Sequence, residues 1–228
     1  MVPVKLTVVI PTMNEADSIG KVIDDVQKHL SKTEYEILVV DTDSTDGTVE
    51  IAEERGARVV NEPRRGYGRA YKTGFERAKG DCVATLDADC TYPAGRIPDF
   101  VRILDSGEAD FIIGDRLSNL SPEAMTLMHR IGNRILNVTM RLLFRVKVKD
   151  SQSGMWVFKR ELLDSLNVVS DGMPFSEEIK IEAMTKGFRV KQIPIDYQPR
   201  TGEKKLQSWR DGWRNFKFLL SKKFGRAR

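Results

Sequence analysis

The chain has few of the residues and segments that stabilise exported proteins or anchor membrane proteins. It contains two cysteines and two histidines in 228 residues. Cys82 and Cys90 have no histidine cluster or second cysteine pair beside them, so neither a disulfide framework nor a zinc site is indicated. Residues 1–5 lack the pattern of a signal peptide, and charged residues interrupt every apolar run before the roughly 20 residues that cross a bilayer. The sequence therefore predicts a cytoplasmic protein that does not span a membrane.

Positive charge is concentrated near the C-terminal end. The net charge is +4, but residues 201–228 carry nine Lys or Arg and two acidic residues, which makes this segment +7 and leaves −3 for residues 1–200. Four apolar residues share one helical face of the segment: Trp209, Trp213, Phe216 and Leu220. Such a helix suits the headgroup zone of an anionic membrane, and we predict that it binds one. The alternative is a C-terminal helix that packs on the sheet with its basic residues in water.

Strand-like and helical segments alternate over residues 1–115. Short apolar runs rich in β-branched residues predict strands at Leu6–Ile10, Ile37–Val40, Arg58–Val60, Val83–Leu86 and Phe111–Ile113. Amphipathic segments predict helices near 16–30, 46–55, 68–79 and 95–105. This alternation predicts an α/β fold with a doubly wound, mostly parallel sheet flanked by helices.

The pattern changes after residue 115. A long helix is predicted near 122–145, a short strand near 155–158, a helix near 176–186, a strand near 188–195 and a final helix near 207–224. We predict a single domain over residues 1–200, with halves 1–115 and 116–200, followed by the basic amphipathic segment 201–228.

Polar clusters follow three of the predicted strands, at residues 11–15, 41–46 and 87–89. Ligands of such sheets bind at the carboxyl ends of the strands, so the clusters are expected to face one site. Asp87 and Asp89 are two residues apart and can point the same way. Paired carboxylates are costly unless donors or a cation neutralise them, which favours a divalent cation with oxygen ligands. For Ser44, Thr45 and Asp46 the simpler interpretation is capping of the next helix.

The long helix near 122–145 carries a basic stripe. Four arginines lie within about 60° of one another at 100° per residue: Arg130, Arg134, Arg141 and Arg145. An apolar surface adjoins them, made of Ile131, Ile135, Val138, Leu142 and Leu143. This combination is typical of a helix at a lipid or protein boundary, and a solvated charged face is the alternative.

Seven segments, taken in order, resemble family 2 glycosyltransferases of the GT-A fold, and among them the polyprenyl-phosphate sugar synthases that include the dolichol-phosphate mannose synthases. The segments are residues 9–15, 39–48, 66–70, 86–89, 113–116, 150–154 and 199–206. The resemblance implies an inverting transferase that moves a hexose from a nucleoside-diphosphate sugar, GDP-mannose or a UDP-sugar, to a polyprenyl (dolichyl) phosphate. It also implies a GT-A domain that works at the cytoplasmic face of a membrane, with a separate membrane partner protein left open.

The same resemblance assigns residues to the site. It implies nucleotide-sugar contacts from Pro11, Asn14, Glu15, Asp41, Asp43, Asp87 and Ala88, and a Mg²⁺ or Mn²⁺ ion at Asp87 and Asp89. It implies acceptor-phosphate contacts from Arg116, Arg130, Ser153, Arg200 and Lys205, and catalytic roles for Asp89, Asp150 and Arg200. The cation would stabilise the departing nucleoside diphosphate as a Lewis acid.

Two positions depart from the subgroup. Thr91 stands where several of these synthases have a metal-binding glutamine, and Lys204 replaces the serine of their Arg-x-x-Gly-x-Ser-Lys segment. The first departure leaves the contribution of Thr91 to the metal site open. The second makes Arg200 and Lys205 the better candidates for phosphate contacts.

The nature of the acceptor decides whether a general base is needed. A lipid phosphate is already anionic near neutral pH and needs positioning more than deprotonation. A hydroxyl acceptor of a soluble family 2 enzyme would need a base, for which Glu177 or Glu178 is the candidate.

Other classes fit the sequence less well. A nucleotidylyltransferase would have a glycine-rich loop after the first strand, and a dinucleotide-dependent oxidoreductase would have a third glycine after Gly66 and Gly68. A nucleic-acid-binding module is disfavoured by the net acidic first 200 residues, so no nucleic-acid partner is expected. An inactive scaffold is disfavoured by the presence of Asp41, Asp87 and Asp89.

Overall fold

In the computed structural model, which describes residues 5–120, 124–201 and 208–225, seven strands form one sheet. They are β1 (Leu6–Thr12), β2 (Tyr35–Asp41), β3 (Arg58–Asn61), β4 (Cys82–Thr85), β5 (Phe111–Asp115), β6 (Trp156–Lys159) and β7 (Val190–Pro194). Their order across the sheet is β3-β2-β1-β4-β6-β5-β7. β6 runs antiparallel to both of its neighbours, and the other pairs are parallel. The predicted mostly parallel sheet is confirmed.

Helices cover both faces of the sheet. They are α1 (Ala16–Leu30), α2 (Thr48–Glu54), α3 (Tyr67–Arg77), α4 (Ile97–Asp105), α5 (Leu127–Phe144), α6 (Phe175–Thr185) and α7 (Ser208–Lys223), with short 3₁₀ turns at Ala94–Arg96 and Arg160–Asp164. None of these helices combines the length and apolarity that crossing a bilayer requires.

The central strands are buried on both sides, which explains their nearly continuous apolar sequence. Successive side chains of a strand point to opposite faces. In β1, Val8 and Ile10 accordingly join the core cluster under α1 and α4. Val9 joins the core cluster under α3 and α6. The sheet is therefore held between two apolar layers, and its strand ends are free to carry polar groups.

The helix α7 packs on other helices rather than on the sheet. Leu219 is fully buried in a third cluster with Leu136 and Met140 of α5, and Lys222 of α7 forms ion pairs with Glu178 and Glu182 of α6 at 3.1 and 2.8 Å. On the predicted interfacial face, Phe216 is half-buried against this third cluster, whereas Trp213 is 58% exposed. The predicted interfacial face of α7 is thus partly used for packing. The alternative of packing on the sheet is wrong, because α7 packs on α5 and α6 instead.

The predicted basic stripe of α5 ends one residue early. Arg145 lies outside the helix as its C-cap, in the left-handed region with a φ of 56°. Its direction therefore differs from that of Arg130, Arg134 and Arg141, which lie within the helix.

Candidate functional site

The loops that follow β1 and β2 are tied together through Asp41. This carboxylate is almost fully buried. It accepts hydrogen bonds from the hydroxyls of Thr12 and Ser44 at 2.8 and 2.5 Å, and from the Ser44 backbone N–H at 2.8 Å. The Asn14 backbone N–H donates to the Ser44 hydroxyl at 2.7 Å, and the Asn14 side-chain oxygen accepts from the Thr45 N–H at 2.8 Å. The two loops thus form one polar platform at the edge of the sheet.

These contacts correct the capping interpretation. The N-cap of α2 is Gly47, without a side-chain capping bond, and Ser44 and Thr45 bond across to the other loop. Asp46 bonds both within its own segment and across to the other loop. It accepts from the Thr48 N–H at the start of α2 at 3.1 Å and from the Ala16 N–H at the start of α1 at 3.0 Å.

Three strand-end loops contain strained backbone. Asn14, Asp43 and Cys90 have φ values of 55°, 48° and 64°. These values lie in the left-handed region, which residues other than glycine seldom adopt. Each lies just beyond β1, β2 or β4. Strain of this kind persists where the surroundings impose it and is concentrated at functional sites. Asp43 is exposed and accepts a hydrogen bond from Asn61 at 3.1 Å.

Asp87 and Asp89 follow β4 and have different surroundings. Burial, and then the negative charge of Asp89, raise the pKa of Asp87 to about 7. One oxygen of Asp89 accepts from the hydroxyl and the backbone N–H of Thr91 at 2.6 and 3.1 Å. Thr91 is almost fully buried, so its hydroxyl orients Asp89.

Arg200 connects two of the predicted clusters. Its guanidinium lies 3.2 Å from the carboxylate of Glu15, after β1, and 3.5 Å from that of Asp89, after β4. The backbone assists, because the Thr201 N–H donates to the Asp89 carbonyl oxygen at 2.9 Å. The segment after β7 therefore closes the site opposite the strand ends. Lys205 and Lys204 lie outside the described residues.

Two tyrosines of α3 support Asp87. Tyr67 and Tyr71 donate their hydroxyls to the same Asp87 oxygen at 3.3 and 3.4 Å. Burial is the main cause that raises the pKa of both phenols well above the ordinary value, so both remain donors. Gly154 leaves room for this contact. A Cβ at this position would lie 2.6 Å from the Tyr67 oxygen and 3.2 Å from an Asp87 oxygen, so a residue other than glycine would clash.

The loop of residues 150–154 rests on a buried ion pair. Asp150 is fully buried and receives two parallel hydrogen bonds of 2.8 Å from the guanidinium of Arg116. The charge of Arg116 lowers the pKa of Asp150 against the opposing effect of burial. The guanidinium also lies over the ring of Tyr197 at 5.2 Å. This geometry favours a supporting role for Arg116 and Asp150, and their predicted contacts with substrate stay predictions.

Three helices hold the same loop from behind. Lys180 of α6 donates to the carbonyl oxygens of Ser151 and Ser153 at 2.6 and 2.7 Å, and burial lowers the pKa of Lys180 to about 7. Asn137 of α5 accepts from the Ser151 N–H at 2.7 Å. Asn215 of α7 donates to the Gln152 side-chain oxygen at 2.8 Å. Ser153 itself is fully buried, so its predicted phosphate contact stays a prediction.

Glu177 and Glu178 lie at the start of α6 and are fully buried. Glu177 accepts from the Gln152 amide at 2.6 Å, and burial raises its pKa to about 8. Glu178 pairs with Lys222 and accepts from two backbone N–H groups, those of Val169 and Ser170. Neither carboxylate is available to solvent in this structure.

A basic groove of about 490 Å³ lies between α5 and the segment after β5. Its lining combines apolar and cationic side chains with one amide: Leu117, Leu120, Arg130, Arg134, Asn137, Val138, Arg141 and Lys149. Within the described ranges the lining includes no acidic residue. Of the predicted acceptor residues, Arg130 lies in this groove.

The donor set at Asp87 and Asp89 fits a divalent cation. The pKa of Asp87 is raised by burial and then by the charge of Asp89, and a cation that binds both carboxylates would stabilise their ionised forms. Over residues 5–120, 124–201 and 208–225 no group of three or more His, Cys, Asp or Glu could hold a metal by itself. A Mg²⁺ or Mn²⁺ ion held here would take its other oxygen ligands from a diphosphate and water.

The structure thus brings most of the predicted residues to one place. Around the strand ends lie Asn14, Glu15, Asp41, Asp43, Asp87, Asp89 and Arg200, with Pro11 at the end of β1 and Ala88 buried between the two aspartates. Sequence reasoning did not assign roles to Tyr67, Tyr71, Gln152 or Lys180. The spacing of the two tyrosines, four residues apart on one helix, was a signal for the first pair.

Comparison with known proteins gives consistent relationships. Residues 7–166 match the sequence profile of the family described as Glycosyl transferase family 2. The low-salt glycan biosynthesis hexosyltransferase Agl6 of Haloferax volcanii is 40% identical over 218 residues, which are 94% of this chain and 53% of that protein. The chain therefore spans about half the length of this relative. The dolichyl-phosphate hexose transferase of the same organism is 33% identical over 91% of this chain and 89% of its own length.

Among solved structures, glucosyl-3-phosphoglycerate synthase from Mycobacterium tuberculosis, in complex with Mn²⁺, UDP and phosphoglyceric acid, has a TM-score of 0.77. The match covers 98% of this chain and 80% of that one, at 22% identity. At this identity the likeness establishes the GT-A fold.

Proposed function

Because the chain belongs to glycosyl transferase family 2, we propose that it transfers a hexose from a nucleoside-diphosphate sugar to a polyprenyl phosphate, with inversion at C1. The donor is GDP-mannose or a UDP-sugar, and the acceptor is of the dolichyl-phosphate type. The name of the Haloferax dolichyl-phosphate hexose transferase, which aligns over most of both chains, supports this choice of acceptor.

The strand-end site would hold the donor. The platform around Asp41 and Asn14 would bind the nucleoside, with Pro11, Glu15 and Asp43 beside it. Asp87 and Asp89 would hold Mg²⁺ or Mn²⁺, which supplies charge stabilisation for the leaving diphosphate. The related synthase crystallised with Mn²⁺ and UDP supports a divalent cation in this fold. Arg200 lies between Glu15 and Asp89 and would supply a positive charge where donor and acceptor meet.

The observation that carries the acceptor assignment is the groove beside α5. It combines arginine and lysine side chains with Leu117, Leu120 and Val138. A phosphate attached to a hydrocarbon chain has the same two chemistries. Arg130 and Arg200 would bind the phosphate, and Lys205 would add to them from the segment outside the described residues.

The state of the two glutamates also favours a phosphate acceptor. A hydroxyl acceptor needs a carboxylate that can reach its proton, but Glu177 and Glu178 are both fully buried and hydrogen-bonded. A phosphate oxygen needs no base and depends on positioning. The loop of residues 150–154, held against Asp87 by Gly154, would supply part of that positioning through Asp150 and Ser153.

We further propose that the protein works at the cytoplasmic face of a membrane. The division into a catalytic domain over residues 1–200, with donor and acceptor halves, and a basic segment over residues 201–228 is part of this proposal. The exposed Trp213 and the basic residues of α7 would contact an anionic surface. A separate membrane partner protein is compatible with this arrangement.

The test is transfer of labelled sugar from GDP-mannose, UDP-glucose and UDP-N-acetylglucosamine into organic-extractable polyprenyl phosphate, with Mg²⁺ or Mn²⁺. We expect one donor to label the lipid phase in a metal-dependent manner. Asp89→Asn should reduce transfer by at least about 100-fold, since metal stabilisation is worth several kcal/mol. Asp99→Asn removes an acid from the exposed side of α4 and should have no effect. Donor hydrolysis without lipid labelling would contradict the lipid acceptor, and an absence of donor turnover would contradict the transferase itself.

A further inference from the structure

The outward face of α5 is apolar along its whole length. Six large apolar side chains on it are between 44% and 76% exposed: Leu127, Met128, Ile131, Ile135, Val138 and Leu142. At 100° and 1.5 Å per residue they occupy an arc of about 100° and a length of about 22 Å. We call this set the α5 stripe. An exposed apolar patch of this size on a folded protein marks an interaction site.

The α5 stripe is separate from the face of α5 that packs in the core. The other side of the helix already packs, with Leu136 and Met140 buried against α6 and α7. Asn137 lies on that side as well and bonds to the backbone of Lys149 and Ser151. The stripe therefore needs a partner from outside the described fold.

Positive charge borders the stripe on one side. Arg130, Arg134 and Arg141 lie about 20° to 60° from its edge, and the sequence of α5 contains no acidic residue. Long basic side chains beside an apolar face can extend their charged ends to phosphate headgroups while their stems stay apolar. Each such residue near an anionic surface contributes about 1 kcal/mol.

We propose that the α5 stripe is the surface by which the protein docks on a bilayer that contains anionic lipid. This inference rests on the proposed function and adds α5 to the membrane contact that is proposed there for α7. An amphipathic helix of this kind lies in the plane of the interface with its apolar side chains about 5–10 Å deep. A second copy of the chain fits less well, because α5 offers no acid to the arginines of another α5, whereas anionic headgroups neutralise them.

The position of the groove follows from this docking. Val138 belongs to the stripe and also lines the groove, and the arginines that border the stripe, Arg130, Arg134 and Arg141, line the groove as well. A phosphate carried by a membrane lipid therefore reaches the groove at the level of the headgroups. Its hydrocarbon chain does not have to leave the bilayer.

The test measures binding of the full chain to vesicles by flotation, with phosphatidylcholine alone and with phosphatidylcholine mixed with phosphatidylglycerol. No polyprenyl phosphate is added, so the acceptor plays no part. We expect the unmodified chain to float with the mixed vesicles. The triple variant Ile131→Ser, Ile135→Ser, Leu142→Ser should lose at least about tenfold in affinity, because three apolar side chains no longer insert.

A matched control is Val169→Ser, which removes an apolar side chain that is 52% exposed in the loop before α6. It should bind vesicles like the unmodified chain. Arg134→Gln should weaken binding to the mixed vesicles only. Because all of these positions are exposed, thermal unfolding should show that each variant keeps the fold.

Three outcomes would overturn the inference. They are equal vesicle binding by the triple variant, absence of vesicle binding by the unmodified chain, and a dimer in sedimentation that the triple variant abolishes. The proposed function is tested separately, by transfer to a short-chain polyprenyl phosphate in detergent. Transfer without vesicle binding would refute the docking surface alone, and vesicle binding without transfer would refute the acceptor alone.

Discussion

Two acids near the site, Asp87 and Glu177, both have a raised pKa, and burial is the largest cause in each. Burial and the charge of Asp89 raise the pKa of Asp87 to about 7. Burial raises the pKa of Glu177 to about 8, and the charge of Lys180 and the hydrogen bond from Gln152 oppose this shift. Cation binding would therefore ionise Asp87. Glu177 has no such partner and remains a neutral acid at pH 7.

Glu177→Gln should leave stability nearly unchanged below about pH 4.5, where Glu177 is protonated in both the folded and the unfolded chain, because the amide has the shape of the protonated acid. The folded pKa of Glu177 lies above its ordinary value of 4.5, so the stabilising effect of its proton is complete below that value and is lost as the pH rises through about 8. Between about pH 5 and pH 8 the unmodified chain should lose stability relative to the variant, by about 1 kcal/mol for each pH unit. Urea unfolding across this range measures the difference, and parallel profiles would contradict the assignment.

Thr91→Val should weaken use of the nucleotide sugar. The hydroxyl donates to Asp89 at 2.6 Å, and a hydrogen bond to a charged group is worth about 1.5–3 kcal/mol. We expect KM for the donor to rise roughly tenfold, with a smaller change in kcat. The comparison is Thr185→Val at the end of α6, where the hydroxyl bonds only to the Ile181 carbonyl oxygen. Equal KM values in both variants would show that Thr91 does not orient Asp89.

At the scale of elements, local patterns located the strands and helices well but did not determine how they pair. The helix predicted at 16–30 is α1, and the strand predicted near 155–158 is β6. The insertion of β6 between β4 and β5, antiparallel to both, depends on the path of the chain between residues 115 and 156. The end of α5 was missed for a local reason, since its left-handed C-cap is an arginine where glycine is usual.

The same distinction holds for the site. Asp87 and Asp89 were predictable because two residues of one extended segment share a direction. The pair Arg116–Asp150 joins residues 34 apart in sequence, and Lys180 reaches the loop of residues 150–154 from another helix. Such contacts leave no periodic signal, because they arise only when the sheet brings distant elements together.

Leu219→Ala should destabilise the whole chain, because α7 is part of the fold. Leu219 is fully buried between α7 and α5, and removing such a side chain costs about 2–5 kcal/mol. At this chain length we expect Tm to fall by roughly 5–15 °C. Phe224→Ala, at a position that is 68% exposed, is the comparison and should change Tm little. A small effect of Leu219→Ala would mean that α7 is a separate segment.

On the scale of the whole molecule, acidic and basic side chains are concentrated in two different regions. Acidic side chains line the carboxyl ends of the strands, where a cation and a diphosphate would bind together. Basic side chains line α5 and the groove beside it. The net charge of +4 therefore hides an acidic region and a basic region, to which we assign different ligands in the proposed function.

Binding of nucleoside diphosphate with Mn²⁺ should stabilise the folded chain as a unit. At 100 times Kd the gain is about 2.7 kcal/mol, which corresponds to a rise in Tm of roughly 5–10 °C. We expect either component alone to give a much smaller shift, because each completes the other's ligands. Comparing GDP with UDP by thermal unfolding identifies the base, and Asp89→Asn should abolish the shift. Equal shifts with and without Mn²⁺ would contradict the shared site.

Asn137 gives α5 a second connection. Its side chain bonds to the backbone of Lys149 and Ser151 at 2.7 Å each, so the helix that carries the exposed stripe also holds the loop that touches Asp87. A contact that changes the preferred position of α5 therefore changes the free energy of ordering this loop. Because linkage between two binding events is reciprocal, a ligand that orders the loop would raise affinity for the bilayer by the same factor if docking of α5 favours the ordered loop. The residence time of the protein at the surface would then depend on whether its site is filled.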